Sequence, residues 1–292
     1  MISFVITTDS CSDLSQKFIK ENEIKIVNLT VNVEGVEYDG RINKITAKEI
    51  YDFMRKGRVP VTSQANPKRL EEFFEKYLRE GQDIVHICLS GQLSGTYNSS
   101  KIAANELKEK YPERRIKVID SLSGSLGEGL LVLEAVKEKN KGKNIDEVTK
   151  IIENKRYKMC NMFIVDDLGH LKRSGRISKT ESVIGAIIGV KPILTADNDG
   201  KIIQIAKVRG RKNAMICMLE KMKEIFDLTL NQVLAIGHSD CLKDAKLIKE
   251  MINERFNIKN IIIGEIGPVM GVHCGPGALA IFFMAKNRFN KK

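Results

Sequence analysis

The chain opens on a continuous apolar run, Ser3 to Thr8, which stops at Thr8-Asp9-Ser10 and is followed by a predicted helix from about Asp13. An apolar run closed by hydroxyl and acidic residues is the pattern of a strand buried on both faces. Ile24 to Val33 reads as a further strand ending at the Glu34-Gly35 turn, and Thr46-Ala-Lys-Glu49 has the capping-box spacing that opens a helix through Met54. Asn66-Pro67 starts another helix, with proline in the first turn, where no amide donor is needed. Strand Asp83 to Leu89 leads through a Ser- and Gly-rich turn at 90–96 into a helix ending near Tyr111, and strand Ile116 to Ile119 leads through Asp120-Ser121 into the next. A helix from Asn144 to about Tyr157 closes this half. Strand and helix in alternation predict a parallel sheet with helices on its faces.

The pattern then changes. Met162 to Val165 is a short strand, and a loop and helix are expected over Gly169 to Ile188. Strand Pro192 to Ala196 turns at Asn198-Asp-Gly200 into strand Ile202 to Val208, a hairpin signal. Helices near Lys212 to Ile225 and Leu242 to Arg255 alternate with strands Val233 to Gly237 and Ile261 to Ile263, before a glycine-rich turn and the apolar segment Ala278 to Met284. The expected fold class is α/β: an N-terminal parallel-sheet domain over residues 1–157 and a C-terminal α/β domain with a mixed sheet over 158–292, with no internal repeat.

Composition supports this reading. A chain of 292 residues with 42% apolar and 29% charged residues can bury two sizeable cores and has no low-complexity tract. The six cysteines are scattered, without a CxxC pair or zinc-ligand spacing, so no metal or other cofactor is expected and a reducing, cytoplasmic setting fits best. The first residues lack a basic stretch before the apolar run, so no signal peptide is expected. The longest apolar stretch, Val183 to Val190, falls well short of the roughly 20 residues of a membrane span. A formal net charge of +11 suits nucleic acid, an anionic membrane surface or an acidic protein equally. Most lysines and arginines are spread along amphipathic helices, and the one concentration is Lys207-Val-Arg209-Gly-Arg211-Lys212. With 6% aromatic residues and no RNA-binding signature, nucleic acid is not expected as a partner.

In an open parallel sheet, ligands bind beyond the carboxyl ends of the strands. Here those positions carry hydroxyls and acids: Thr8, Asp9, Ser10 and Ser12, then Ser90, Ser94 and Thr96, then Asp120, Ser121, Ser123 and Ser125, with Thr62-Ser63-Gln64 in what reads as the loop before a helix. Such groups either cap helices or receive an anionic or oxygen-rich ligand, and the residues alone leave both open. Neither GxGxxG nor a P-loop occurs, and Gly91-Gln-Leu-Ser94-Gly95 is not a nucleophile elbow. A hydrolase or acyl transferase using Ser94 and His273 is the alternative. His273 stands in a glycine-rich stretch that leaves its imidazole room to meet a ligand, and its neighbour Cys274 reads as packing. Arg173-Ser-Gly175-Arg176 suits a turn presenting guanidinium groups to a carboxylate or phosphate.

Taken in order, Asp9-Ser10-Cys11-Ser12-Asp13-Leu14, Thr62-Ser63-Gln64 with Pro67, Ser94-Gly-Thr96-Tyr97-Asn98-Ser99, Asp120-Ser121, Leu171-Lys-Arg173-Ser-Gly175-Arg176-Ile177, Lys191-Pro192 and Gly267-Pro268 to Gly277-Ala278 resemble the successive motifs of the DegV family. The resemblance implies a buried tunnel between the two domains for one long-chain fatty acid, in a non-catalytic carrier. It further implies that the protein presents the acid's carboxylate to a separate fatty acid kinase for acyl phosphate formation, with transient contact to a membrane surface conceivable. Carried over, Thr62 and Ser94 donate to the carboxylate, His273 completes the cluster, Arg173 lies near the head group or the partner, and Ser63 and Thr96 join them as ligand contacts. Cys11, Cys274 and Ser174 depart from the family's usual residues.

Overall fold

The computed structural model describes residues 3–178, 189–227, 233–256 and 258–289. The first predicted strand is β1 (Phe4–Asp9), buried along its whole length. A single 3-10 turn at Ser10–Ser12 follows, so helix α1 (Gln16–Glu21) begins later than expected, where the Ser15 hydroxyl can accept the Phe18 N–H at 3.2 Å.

The apolar run from Ile24 to Val33 is not one strand. It divides at Asn28-Leu29 into β2 (Lys25–Val27), parallel to β1, and β3 (Thr30–Val33), which leaves that sheet. The Ser10 hydroxyl accepts the Leu29 N–H at 3.0 Å and so satisfies the donor at the break. Antiparallel pairing joins β3 to β4 (Val36–Tyr38) and, after helix α2 (Ala47–Arg55), to β5 (Val61–Ser63). Val31 and Val33 point inward and Thr30 and Asn32 outward, the period of a half-buried strand. This small sheet is absent from the sequence reading, which left Thr62 and Ser63 in a loop.

The remaining elements of this half match the expected alternation: α3 (Pro67–Arg79), β6 (Asp83–Cys88), α4 (Thr96–Lys110), β7 (Ile116–Asp120), α5 (Leu126–Asn140) and α6 (Ile145–Lys155). Strands β2, β1, β6 and β7 stand in that order in an all-parallel sheet.

A six-stranded sheet collects the rest: β8 (Met159–Ile164), helix α7 (Gly169–Arg173), β9 (Val190–Ala196), β10 (Ile202–Arg209), α8 (Arg211–Ile225), β11 (Val233–His238), α9 (Leu242–Arg255), β12 (Asn260–Glu265), α10 (Pro268–Cys274) and β13 (Leu279–Met284). Its order is β10-β9-β8-β13-β11-β12, mixed because only β11 and β12 run parallel. The β9–β10 hairpin forms as predicted. The helix expected up to Ile188 ends at Arg173, two residues before Gly175 takes φ +71. Residues 179–188 of that predicted stretch, with the apolar run from Val183 up to Ile188, lie outside the described residues. The segment read as a glycine-rich turn contains α10, with Pro268 in its first turn.

Helix α5 joins the two sheets. Its Leu130, Leu131 and Val132 share one core cluster with Ile6, Val85 and Ile87 of the first sheet and Phe163, Leu194 and Phe282 of the second. Each fully buried aliphatic side chain here contributes about 2 kcal/mol. Among the described residues, no helix is long and apolar enough to cross a membrane.

Candidate functional site

Thr62 sits in the middle of β5, opposite Val31 of β3, and this pairing aims its hydroxyl at α10. There the Thr62 Oγ1 and His273 Nε2 lie 2.9 Å apart. Helix α10 is held from below by Tyr51 of α2, whose buried hydroxyl donates to the Ile266 carbonyl at 2.5 Å. The third side of the site is the turn after β6. Its backbone is set by the Leu93 and Ser94 N–H groups donating to the Ser90 carbonyl, and by Arg176 Nε donating to the Leu93 carbonyl at 3.0 Å.

Thr62, Ser63, Ser94 and His273 line one cavity of about 350 Å³, whose other walls include Leu29, Leu89, Leu93, Leu171, Val269 and Met270. Four of the six residues expected from the sequence are therefore together. Thr96 is not in the cavity: it is fully buried behind Ser94, with its hydroxyl 3.0 Å from the Ser94 hydroxyl and its N–H donating to Ser94 Oγ. Arg173 is also elsewhere. It is exposed, bonded to His170 Nδ1 at 2.8 Å, and it lines an adjoining hollow of about 310 Å³ with Arg58, His170 and Arg176. Thr62, Arg176 and His273 form the shared wall of the two spaces, and no described residue lining the hollow is acidic. Arg176 is thus the arginine at the cavity. The glycine turn between the two arginines signalled that both were presented, without telling which faces inward.

Burial, reinforced by the nearby Arg176 charge, lowers the His273 pKa to about 4. The imidazole is neutral at neutral pH, and its Nδ1 is buried without a hydrogen-bond partner among the described residues. Among the described residues no carboxylate orients it and its ring bonds Thr62, not Ser94, so they do not form the nucleophile–base–acid chain of a serine hydrolase. Burial also pushes the Cys274 thiol up to about 12, which keeps it protonated and a poor nucleophile.

The acids that follow the first-sheet strands do not reach this cavity. Asp9 accepts the Cys11 and Leu89 N–H groups at 2.8 and 2.9 Å. Glu128 of α5, which the sequence reading passed over, is fully buried and accepts the Thr8 hydroxyl at 2.7 Å, while Asp13 accepts the Ser125 hydroxyl at 2.5 Å. Desolvation raises all three, Asp13 to about 7. The basic run at 207–212 is partly consumed within the fold, because Arg211 pairs with Asp166 and Asp244 and donates to the Gly277 carbonyl.

The DegV family model, which describes an uncharacterised protein family, matches residues 3–286. A DegV domain-containing protein of Clostridium perfringens is 41% identical over 289 residues, 99% of each chain. Among solved structures, the chain is similar to a DegV family protein of Ruminococcus gnavus solved with vaccenic acid, with a TM-score of 0.88 and 26% identity over 97% of this chain and 100% of that one. It is likewise similar to DegV of Bacillus subtilis, a fatty acid binding protein, with a TM-score of 0.84 and 28% identity over 98% and 100%.

Proposed function

The chain belongs to the DegV family, and from that premise we propose that it binds one long-chain fatty acid, with the carboxylate at Thr62, Ser94 and His273 and the tail along the apolar walls. The observation that carries this reading is the cavity itself, which gathers the hydroxyls of Thr62, Ser63 and Ser94, the His273 imidazole with its unpaired Nδ1, and Arg176 in one space whose remaining walls are mostly aliphatic. Burying an acyl chain contributes roughly 0.8 kcal/mol per methylene, on the order of 10 kcal/mol for a long chain before association costs. A carboxylate carried into such a space needs several donors, or its desolvation would cancel part of that gain. Hydroxyls supply them without a reactive nucleophile, so the site suits retention and not turnover. Ser63 stands at the rim, Thr96 acts through Ser94, and Arg173 belongs to the outer hollow.

In this reading the acid lies between two domains, residues 1–157 and 158–292. The basic hollow beside the head group is where a separate fatty acid kinase would reach the carboxylate to form acyl phosphate. No geometric observation favours a hydrolase. The test is mass spectrometry of an organic extract of the purified protein, with Thr62→Ala and Ser94→Ala alongside. A stoichiometric fatty acid in the wild type, depleted in both variants, is the expected result. A folded wild type that neither contains nor takes up any fatty acid would overturn the reading.

A further inference from the structure

We propose that Met270 sets the acyl chain length this protein retains, acting as a movable plug in the apolar wall of the cavity; the proposal rests on the carrier reading above. Met270 precedes His273 by three residues on α10, a spacing that puts both on one helix face, and both line the cavity. One short helix therefore carries a head-group contact and part of the apolar wall.

The Met270 side chain also packs against two core clusters, the one built on α5 and the one beneath the small sheet. Its tip meets Leu89 over Gly124. A β-carbon at Gly124 would stand 2.6 Å from Leu89 Cδ1 and 3.0 Å from Met270 Cε. Leu89 and Met270 both line the cavity, and both side chains end against this glycine. The α5-centred core cluster, which Met270 joins, is entirely apolar and includes Leu126, Leu130 and Phe282.

Volume makes the plug consequential. A methylene occupies about the space of a water molecule, roughly 30 Å³, so the 350 Å³ cavity accommodates about a dozen carbons. A longer acid must displace something. The head-group side chains are engaged with the carboxylate, and Leu29 and Val269 are branched and stiff. Met270, unbranched and with three rotatable bonds, is the wall that yields. Each further methylene that finds apolar room multiplies affinity by roughly fourfold, so the position of this side chain decides where affinity stops rising with chain length.

Met270→Ala opens the passage, and Gly124→Ala, at a position outside the left-handed region, wedges Leu89 and Met270 and closes it. The two variants are predicted to move the preference in opposite directions. Each protein is loaded from an equimolar mixture of saturated acids from decanoic to octadecanoic, reisolated, checked by thermal melting, and its bound acids quantified by mass spectrometry. Relative to wild type, Met270→Ala should raise the bound ratio of octadecanoic to dodecanoic acid by at least about fivefold, and Gly124→Ala should lower it by a similar factor. Met270→Leu, which conserves volume but is stiffer, should lower the ratio as well and serves if the alanine variant does not fold. Unchanged profiles in folded variants that still bind acid would overturn the role of Met270 and leave the carrier reading standing. Failure of wild type and variants alike to hold any acid would overturn both.

Discussion

Two sets of polar side chains lie near the carboxyl end of the first sheet, one made of hydroxyls and an imidazole, the other of carboxyls. Thr62, Ser94 and His273 face a cavity; Asp9 and Glu128 are sealed against α5 and the turn after β1, with the half-buried Asp13 beside them. In the sealed set, the Asp9 carboxylate is held by two backbone N–H groups, and desolvation raises the Glu128 carboxyl well above the usual carboxylate range beside the Thr8 hydroxyl. In the open set the partners are rotatable hydroxyls and a neutral imidazole, which can turn towards a ligand. Polar groups committed to backbone donors hold a fold together. Those that face a cavity and bond mainly to other side chains keep binding capacity.

The sharpest way to break this contrast is to cross the two readouts. Asp9→Ala strands two buried N–H groups, at about 1–3 kcal/mol each, and should lower unfolding free energy by roughly 3 kcal/mol in urea titrations. Ser94→Ala should change stability by less than about 1 kcal/mol yet weaken fatty acid affinity some ten- to a hundredfold in displacement titrations, the cost of one hydrogen bond to a charged group. A stability loss in Ser94→Ala as large as that in Asp9→Ala would erase the distinction.

A smaller effect lies in the pH dependence. Asp13 has a folded-state pKa of about 7 against an ordinary 3.8, so its contribution to stability is fully present below about pH 4 and is lost as pH rises through 7. His273, lowered from 6.5 to about 4, acts oppositely: its contribution is present above pH 6.5 and lost as pH falls through 4. The two slopes oppose each other within one window. Asp13→Asn should remove the first, so the ligand-free variant gains more stability than wild type between about pH 5 and 7, as read from urea midpoints. A parallel pair of curves would show that Asp13 is ionised in the folded protein.

The smallest effect is expected at Arg173. Exposed and bonded to His170 in the outer hollow, it should alter fatty acid affinity by no more than about threefold when replaced by alanine, as surface charges do. A larger loss would move it into the head-group set with Arg176.

The parallel sheet was legible because fully buried strands such as β1 and β6 are mostly apolar runs closed by hydroxyl or acidic residues. The hairpin at Asn198-Asp-Gly200 was legible from its turn chemistry. The small sheet was not, because the strand-like segment Ile24 to Val33, with Lys25, Asn28, Thr30 and Asn32 set among its apolar residues, conceals the point where the chain changes sheets, and Val61–Ser63 is too short to show a period. Residue types and motif order brought Thr62, Ser63, Ser94 and His273 forward, and the structure gathers these at one cavity. That Thr96 and Arg173 lie outside the cavity was not legible, because orientation within a turn depends on packing. Glu128, a single acid in the apolar run of α5, was a signal that went unread: an ionisable group in such a place needs a partner or a proton.

The position of β13 bears on how the molecule comes to exist. This strand lies at the centre of the second sheet, between β8 and β11, yet every other strand of that sheet precedes it in the chain. On the ribosome, β8 through β12 therefore emerge with a gap in their midst and apolar edges unpaired, and no early subset can close the sheet. Non-local pairing of this kind is slow and leaves strand edges exposed to neighbours. The nascent chain needs shielding until residue 284 has been released, and shortening the protein before β13 removes the middle of a sheet, not a dispensable tail.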